Sequence, residues 1–361
     1  LIVLNYYVPY VSGLTNVARD VAEGLAARGH EVTVVTSQHD SDLPRESTLN
    51  GVRVVRCPVR LRLGKGVVSF SFIPTVLEEA QRADVVNLHA PMLESGLIAR
   101  GLQRRGIPFV FTYHCDVALP DTVLGATQNR AMDASSRAAA RRAAYNVVTS
   151  DDYAGASRIA DALQHRQRVI PPGCHLRLGG AASFRTTPGL HVGFLGRFVA
   201  EKGIEYLVEG FSRLEDPDAR LLLAGDYSAV AGGSVIDRVR ARISDDDRIR
   251  VLGFIDDDML ADFYASLDVF ALVSVNAFEA FGIVQAEAMM AGVPAMATDM
   301  PGVRQPVGET NFGVVVPPRD ASAIEAALQT LRPRSFDRAA GAAAARDRYE
   351  LTHAVDAYEQ L

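Results

Sequence analysis

The sequence predicts an α/β protein made of two Rossmann-like domains, each a doubly wound parallel sheet, that face each other across a cleft. Two observations carry this prediction. The chain has 361 residues, 48% of them hydrophobic, and is long enough to bury two sizeable cores. Short runs rich in β-branched residues also alternate with segments of helical periodicity, which is typical of parallel sheets covered by helices on both faces.

The first domain is predicted to span residues 1–175. A helical pattern follows its first strand and ends near Gly29, since glycine favours the position just after a helix. Because the chain begins inside that strand, we expect at least one residue to precede Leu1. The strands of this domain are predicted from short apolar runs at residues 1–8, 31–36, 52–56, 84–88, 108–112 and 146–149.

The second domain is predicted over residues 191–334. Residues 176–190 precede it, are rich in Gly, Ala, Ser, Thr and Arg without periodicity, and therefore predict a linker. Residues 335–361 form a long, alanine-rich helical pattern, and we expect this helix to pack back on the first domain. The strands of the second domain are predicted at residues 191–195, 220–224, 248–252, 268–273 and 294–298.

Composition excludes several classes of protein. No apolar run approaches the length of a membrane span, and no basic segment followed by a cleavage site is visible. Three scattered cysteines, Cys57, Cys115 and Cys174, lack metal-ligand spacing and do not suggest a disulfide framework. We therefore expect a cytoplasmic protein.

Charge is distributed unevenly along the chain. Residues 1–175 hold 19 Arg or Lys against 16 Asp or Glu, whereas the remainder holds 18 against 27. No nucleic-acid partner is expected. The basic residues of the first half predict either a solvated edge or a peripheral contact with the anionic inner face of a membrane. The residues that carry this alternative are Arg53, Arg56, Arg60, Arg62 and Lys65.

The most informative stretch begins at Glu279 and ends at Glu287. If Gly282 opens a helix, Glu279 lies in the preceding loop and Glu287 lies about one and a half turns inside the helix. The start of such a helix offers unpaired backbone N–H groups and a positive dipole end to a phosphate. An acid beside a bound phosphate would be placed to hold a sugar hydroxyl.

Other candidate residues lie where predicted strands end. Arg197 and Lys202 lie between a strand and a helix, where a guanidinium fork and an ammonium suit a diphosphate. His114 also follows a strand, at the edge where parallel sheets collect binding residues. Gly13 is interpreted either as a turn glycine or as a point of close ligand approach. This loop lacks the G-x-G-x-x-G fingerprint, which disfavours a nicotinamide dehydrogenase.

Taken together, these motifs resemble retaining glycosyltransferase family four, of GT-B fold. That family transfers a sugar from a nucleotide donor with retention at the anomeric carbon and without a required metal. The loop at Gly13 departs from the family, which often has two or three glycines there. The resemblance covers essentially the whole chain and rests on Gly196, Arg197, Lys202, Glu279, Phe281, Gly282, Ile283, Glu287, Gly13, Thr112, Tyr113 and His114.

The resemblance implies a role for each candidate residue. Arg197 and Lys202 would bind the diphosphate of a UDP- or GDP-sugar, and Gly13 would add a contact from the first loop. Glu287 would hold the ribose, Glu279 the transferred sugar, and His114 would lie near the site of reaction. The backbone N–H groups that would complete the phosphate cradle belong to Phe281, Gly282 and Ile283, and the segment that meets the base is Phe254 and Ile255.

The chemistry implied is attack on the same face of the sugar from which the phosphate departs, with the leaving phosphate assisting deprotonation of the acceptor. Neither a metal nor another cofactor is expected. The acidic triplets at 245–247 and 256–258 are interpreted as helix caps rather than metal ligands. The acceptor is not identified; a lipid-linked molecule, a glycan and a small molecule remain open. The alternatives are a nucleotide-sugar epimerase and a catalytically silent nucleotide-sugar binding protein.

Overall fold

The structure is a computed structural model that describes residues 1–63, 66–119, 122–228, 233–331 and 336–361. The chain divides into two compact units. The N-terminal unit comprises residues 1–173 and 351–361, and the C-terminal unit comprises residues 174–350. Each unit is built around a large sheet of mainly parallel strands, so the predicted α/β class is confirmed.

The N-terminal unit contains an eight-stranded sheet and a separate two-stranded hairpin. In chain order its strands are β1 (Ile2–Val3), β2 (Thr33–Gln38), β3 (Glu46–Leu49), β4 (Val52–Pro58), β5 (Leu61–Leu63), β6 (Gly66–Val68), β7 (Val86–Ala90), β8 (Phe109–Tyr113), β9 (Tyr145–Val148) and β10 (Gln167–Val169). The large sheet has the order β10-β9-β8-β7-β1-β2-β4-β3, and β3 is its antiparallel edge strand. β5 and β6 form the hairpin.

Helices connect the parallel strands of this unit. They are α1 (Gly13–Ala27), α2 (Phe72–Glu79), α3 (Ser95–Arg104), α4 (Val123–Ala140), α5 (Asp151–Ala156) and α6 (Ala160–Leu163). α1 begins at a side-chain cap, in which the Ser12 hydroxyl accepts a hydrogen bond from the Thr15 N–H at 3.2 Å.

The first strand is much shorter than the eight residues predicted from the apolar run. It ends at Val3, and the chain then turns so that the Tyr10 N–H bonds the Tyr7 carbonyl at 3.1 Å. Pro9 lies inside this turn and has no N–H with which to continue a ladder. The edge strand β3 was not predicted, because its sequence contains no apolar run and its residues alternate between exposed and half-buried.

The C-terminal unit has a six-stranded parallel sheet. Its strands are β11 (His191–Leu195), β12 (Arg220–Ala224), β13 (Ile249–Gly253), β14 (Val269–Leu272), β15 (Ala295–Thr298) and β16 (Gly313–Val316), in the order β13-β12-β11-β14-β15-β16. Its helices are α7 (Ile204–Ser212), α8 (Ile236–Ile243), α9 (Leu260–Ala265), α10 (Ile283–Met290), α11 (Gln305–Thr310), α12 (Ala321–Thr330) and α13 (Arg338–Tyr349).

Both faces of the C-terminal sheet are buried. In β14, Val269 and Ala271 pack into one apolar cluster, whereas Phe270 and Leu272 pack into another. Successive strand residues point to opposite faces of a sheet, so a strand covered on both sides must be apolar throughout. This arrangement explains why the strands of this domain read as unbroken apolar runs.

The segment predicted as a linker packs on the C-terminal unit. The Asp262 carboxylate in α9 accepts hydrogen bonds from the Ala181 N–H at 2.8 Å and the Ser183 hydroxyl at 2.9 Å. The Phe184 N–H donates to Ser266 at 3.0 Å. Residues 181–184 are therefore held against α9 by specific hydrogen bonds, although their sequence shows no periodicity.

The C-terminal pattern forms two helices instead of the single one predicted. Glu350 is extended between α13 and α14 (Leu351–Glu359), and the Cys174 N–H donates a hydrogen bond to the Tyr349 carbonyl at 2.7 Å. Only α14 belongs to the N-terminal unit, where its Glu359 carboxylate meets Arg28 at 2.5 Å. The sequence showed helical periodicity on both sides of Glu350 but not the tertiary bond that interrupts it.

Candidate active site

Two loops of the C-terminal unit lie side by side because their parent strands are neighbours. β11 pairs with β14, and the loop after each strand leaves the same edge of the parallel sheet. The Val275 N–H donates to the Glu201 carbonyl at 2.8 Å and joins the two loops. The first loop carries Arg197 and Lys202, and the second carries Glu279. Lys202 and Glu279, which are 77 positions apart in the sequence, are thereby brought together.

The helix start predicted at Gly282 is confirmed, since α10 runs from Ile283 to Met290 with Gly282 at its N-cap. Gly282 has a φ of +87°, and a Cβ there would lie 2.1 Å from a methyl carbon of Leu272. Only glycine combines that backbone with that contact. Within the described chain, no hydrogen bond engages the N–H groups of residues 281–284, which leaves the start of the helix suited to an anion.

An ion pair connects the two loops at this edge. The Lys202 ammonium donates a hydrogen bond to the Glu279 carboxylate, and the Ser274 hydroxyl bonds the same oxygen at 3.3 Å. Both charged side chains are largely buried. In contrast, nothing in the described part of the chain pairs with the Arg197 guanidinium. We call Arg197, Lys202 and the N–H groups of residues 281–284 the candidate phosphate site.

Glu287 lies inside α10 and is only 5% exposed. The Tyr264 hydroxyl donates to one of its oxygens at 3.1 Å, and the Arg177 guanidinium lies 3.8 Å from the other. Burial raises the pKa of the Glu287 carboxyl, and Arg177 acts in the opposite direction. The predicted position one and a half turns into the helix is correct, but the sequence did not show that the carboxylate is buried.

Arg177 was not predicted as a site residue. Its guanidinium also donates two hydrogen bonds of 2.6 Å to the Asp257 carboxylate, so it connects Glu287 with the loop before α9. This bond engages one acid of the triplet interpreted as a helix cap. Among the described residues, no group of three or more His, Cys, Asp or Glu could hold a metal ion. Arg177 lies in the segment predicted as a linker, where no pattern marked it.

Phe254 and Ile255 follow β13, as the apolar pattern predicted. Phe254 is 72% exposed, whereas Ile255 is half-buried against the apolar cluster that contains Phe270. An exposed aromatic ring at the carboxyl end of a parallel strand offers a stacking surface to a planar ligand. The role of these two residues toward a nucleobase remains a prediction.

His114 follows β8 in the N-terminal unit and is stacked on His89 of β7. Their ring centroids are 5.1 Å apart, and His89 Nδ1 lies 2.9 Å from His114 Nε2. Burial lowers the pKa of His114 to about 4, and burial together with His114 lowers the pKa of His89 well below its ordinary value. Both rings are therefore neutral at neutral pH. His89 was missed because it lies within an otherwise apolar strand pattern.

The loop after His114 is fixed by a buried carboxylate. Asp116 accepts hydrogen bonds from the Tyr113 hydroxyl at 2.5 Å and the Ser157 hydroxyl at 2.7 Å. The Arg158 N–H donates to its other oxygen at 3.1 Å. Because His114 lies between Tyr113 and Asp116 in the chain, the network holds the segment that carries His114 in place.

Gly13 is the first residue of α1, and a Cβ there would meet no atom within 4 Å. The structure therefore gives no steric reason for a glycine at this position. The proposed contact with a donor stays a prediction.

Part of the predicted basic edge of the N-terminal unit is engaged within the protein. Arg56 is 4% exposed and donates to the Ser47 hydroxyl at 2.8 Å, whereas Arg53 pairs with Glu79 at 2.8 Å. Arg56 therefore cannot contribute to an exposed patch as predicted, whereas the Arg53 side chain remains 41% exposed beside its ion pair. Lys65 lies outside the described residues. No helix among the described residues is both long and apolar enough to cross a bilayer.

Solved glycosyltransferase structures share the fold of this chain. Sucrose-phosphate synthase from Thermosynechococcus elongatus superposes with a TM-score of 0.80 at 21% identity and covers 99% of this chain and 96% of its own. Anabaena HepE, solved in complex with UDP-glucose, gives a TM-score of 0.72 at 18% identity, covering 99% and 98%. The fold is therefore that of the GT-B glycosyltransferases.

Family models match both units. The model described as glycosyl transferase 4-like domain matches residues 12–173, and that described as glycosyl transferases group 1 matches residues 189–332. A GDP-mannose-dependent alpha-mannosyltransferase of Mycolicibacterium smegmatis is 29% identical over 91% of this chain and 86% of its own length. The chain belongs to the GT-B glycosyltransferases of family 4 type, and it is an enzyme that uses nucleoside-diphosphate sugars.

Proposed function

We propose that this glycosyltransferase transfers a sugar from a UDP- or GDP-sugar to an acceptor with retention at the anomeric carbon, without a required metal. The observation that carries the proposal is the candidate phosphate site. There, an arginine, a lysine and the N–H groups of a helix start lie at the ends of neighbouring strands, and the arginine and these N–H groups have no partner among the described residues. These groups suit the two negative phosphates of a nucleoside diphosphate.

Charge development in the reaction fits this site. Departure of the nucleoside diphosphate places negative charge on its β-phosphate, and fixed cations with helix N–H donors stabilise charge where it appears. Arg197 and Lys202 together supply the positive charge that many phosphate sites obtain from a metal ion. We therefore expect turnover to persist in the presence of EDTA, and loss of activity that Mg²⁺ or Mn²⁺ restores would contradict this part of the proposal.

The two acids have separate proposed roles. Glu279 lies in the loop before α10 and would bind hydroxyls of the transferred sugar, while its ion pair with Lys202 keeps it beside the phosphates. Glu287 is held by Tyr264 and Arg177 and would accept hydrogen bonds from the ribose with its remaining lone pairs. Since the carboxylate of Glu279 is already engaged by Lys202 and Ser274, we favour same-face attack over a covalent intermediate on Glu279.

His114 is proposed to act as a neutral hydrogen-bonding group near the reacting sugar. Its low pKa excludes a positive ring at neutral pH, so it would orient a hydroxyl instead of stabilising the departing phosphate. Because His89 engages Nε2, Nδ1 is the ring nitrogen left to meet the substrate. Proton removal from the acceptor is assigned to the leaving phosphate.

The base of the donor is proposed to be uracil or guanine. Exposed Phe254 would stack on the base, with Ile255 beside it. HepE was solved with UDP-glucose and the mannosyltransferase of M. smegmatis is GDP-mannose-dependent, and both donors fit the proposed class. A thermal-shift screen over UDP, GDP, ADP and their sugars distinguishes them, since a ligand at 100 times its dissociation constant stabilises by about 2.7 kcal/mol.

The acceptor is proposed to bind the N-terminal unit and to be lipid-linked, a glycan or a small molecule. Peripheral membrane contact is a finer proposal that rests on Arg60, Arg62 and Phe70 near the β5–β6 hairpin, with Phe70 80% exposed. Co-sedimentation with vesicles of phosphatidylglycerol and phosphatidylcholine at low and high salt tests it. Salt-sensitive binding that is lost in Arg62→Glu is expected, and absence of binding at low salt would remove the membrane proposal.

The decisive experiment for the enzyme is product formation from a donor panel. Incubation with UDP- and GDP-sugars and a mixture of acceptors should release the nucleoside diphosphate and give an α-linked product from an α-linked donor. A β-linked product would contradict retention. Binding of a nucleotide sugar without any transfer would favour a binding protein.

A further inference from the structure

Gln285 lies in the first turn of α10 and is fully buried, with 0% of its side chain exposed. Its amide nitrogen donates two hydrogen bonds, to the Phe281 carbonyl at 2.5 Å and to the Val303 carbonyl at 2.9 Å. Both acceptors are backbone carbonyls, so only the NH₂ group of a glutamine can serve them together. The side chain therefore ties the loop before α10 to the loop before α11.

The helix backbone does not use the Phe281 carbonyl. The N–H groups of Gln285 and Ala286 both approach the Gly282 carbonyl, at 3.0 and 3.4 Å. Because Gly282 is the N-cap, its carbonyl is the first acceptor of the helix, and the Phe281 carbonyl lies outside the helical ladder. The Gln285 side chain bonds the Phe281 carbonyl, bending back toward the helix N-terminus as long side chains in helices do.

This bond fixes the orientation of one peptide unit. The Phe281–Gly282 peptide is planar, and in a trans peptide the carbonyl and the N–H point in opposite directions. Because Gln285 holds the carbonyl toward the protein interior, the Gly282 N–H points away from Gln285. Within the described chain, no acceptor engages this N–H. Rotation of the peptide would turn the N–H inward and remove it from the candidate phosphate site.

We propose that Gln285 is a positioning residue for the donor diphosphate. It holds the Phe281–Gly282 peptide so that the Gly282 N–H donates to the phosphate that becomes the leaving group. The proposal rests on the proposed function, because it requires a nucleoside diphosphate at the start of α10. Gln285 touches no substrate and acts through the backbone.

A second feature distinguishes Gln285 from a residue that only fills space. Its amide oxygen is buried and has no hydrogen-bond partner in the described protein. A buried polar atom without a partner is unfavourable, and methionine would occupy similar space without leaving one. The glutamine is therefore a costly choice for packing, whereas it is needed to hold the two carbonyls.

The test compares Gln285→Met with the wild-type protein by calorimetry. The ligands are the diphosphate UDP or GDP, whichever the wild type binds, and the matching monophosphate. We expect the dissociation constant of the diphosphate to rise about tenfold, consistent with loss of a hydrogen bond to a charged group. The monophosphate, which lacks the β-phosphate, should be affected at most about twofold. The donor KM should also rise with the dissociation constant of the diphosphate.

Gln285→Glu provides a second variant of nearly the same shape. Its ionised carboxylate cannot donate to either carbonyl, whereas its protonated form can donate to one of them. Relative to wild type at each pH, its diphosphate affinity should therefore recover as the pH falls from 8 to 6. A residue that only fills space would give no such recovery. This variant keeps the proposal testable if Gln285→Met does not fold.

Met289→Leu is the matched control, since the Met289 side chain is buried in the same helix and makes no hydrogen bond among the described residues. Unchanged diphosphate affinity in folded Gln285→Met, even with a lower melting temperature, would overturn the inference and leave the proposed function intact. Equal losses for mono- and diphosphate would overturn it as well. If the wild type bound no nucleoside diphosphate, the proposed function would fail, and this inference would fail with it.

Discussion

The Lys202 ammonium and the Glu279 carboxylate form an ion pair between the loops that follow β11 and β14. The family resemblance assigns Lys202 to the diphosphate and Glu279 to the sugar, as two independent contacts. In the structure each restrains the other. A bound β-phosphate would therefore share the lysine with a carboxylate that is already present.

Replacing Glu279 with glutamine removes the charge but keeps the shape. Nucleoside diphosphate affinity should be retained or increase severalfold, because Lys202 is no longer neutralised, whereas turnover should fall about 10- to 100-fold through loss of a charged contact to the sugar. Calorimetry and initial rates separate the two effects. Ser274→Ala is the control, since it removes the 3.3 Å bond to Glu279 without changing charge. A loss of diphosphate affinity in Glu279→Gln as large as that in Lys202→Ala would contradict the assigned roles.

Gly282→Ala should destabilise the protein and abolish diphosphate binding. The new Cβ would lie 2.1 Å from Leu272, and the φ of +87° disfavours any other residue by about 1 to 2 kcal/mol before the clash is counted. Gly292→Ala is a matched control, because Gly292 has a φ of +89° and open space around the new Cβ. Urea denaturation should show a clearly larger loss for Gly282→Ala. Equal losses would mean that contact with Leu272 does not limit this position.

Arg177→Gln should weaken nucleotide binding through Glu287. Arg177 opposes the effect of burial, so its removal should raise the pKa of the Glu287 carboxyl further. The neutral acid accepts hydrogen bonds poorly, and the affinity of the variant relative to wild type should therefore fall as the pH decreases. Asp257→Asn removes the other partner of Arg177 and serves as the control. If both variants lost affinity equally and without pH dependence, Arg177 would act by ordering the loop instead.

Stability should decrease in mild acid because of the buried histidine pair. The folded pKa of His114 is about 4 and lies below the unfolded value, so the unfolded chain binds a proton that the folded chain excludes. The resulting loss of folding free energy is absent above about pH 6.5 and grows as the pH falls toward 4, where it reaches about 3 kcal/mol for His114.

Urea denaturation between pH 7 and 4.5 measures this dependence. His114→Asn should show a smaller decrease in the free energy of unfolding than wild type, whereas His353→Asn, at an exposed position, should follow wild type. Identical pH dependence in all three proteins would contradict the assignment of low pKa values to the pair.

The sequence was sufficient for the parallel-sheet architecture, because strands buried on both faces must read as apolar runs. It was also sufficient for the helix start at Gly282, where glycine follows a strand and a loop. The interruption at Glu350 was not visible, since it depends on a bond between Tyr349 and Cys174 that is 175 positions away in the sequence.

In the candidate site as well, local patterns could be recognised in the sequence, whereas tertiary contacts could not. Arg197, Lys202, Glu279 and Glu287 could be selected because each lies at a recognisable offset from a strand or helix end. Arg177 and His89 could not, because one lies in an aperiodic segment and the other inside an apolar strand. Arg177 contacts Glu287 and His89 contacts His114. Such a contact with a predicted site residue can be recognised only once the fold is known.

The central claim is that the candidate phosphate site binds a nucleoside diphosphate through Arg197 and Lys202. Calorimetric titration of wild type, Arg197→Ala and Lys202→Ala with UDP and GDP, in the presence of EDTA, tests it directly. Arg213→Ala is the control, since Arg213 pairs with Glu209 on an exposed surface of the same unit. We predict binding of one nucleotide by wild type and the control, and a loss of at least about tenfold in each site variant. Unchanged affinity in both site variants would contradict the account.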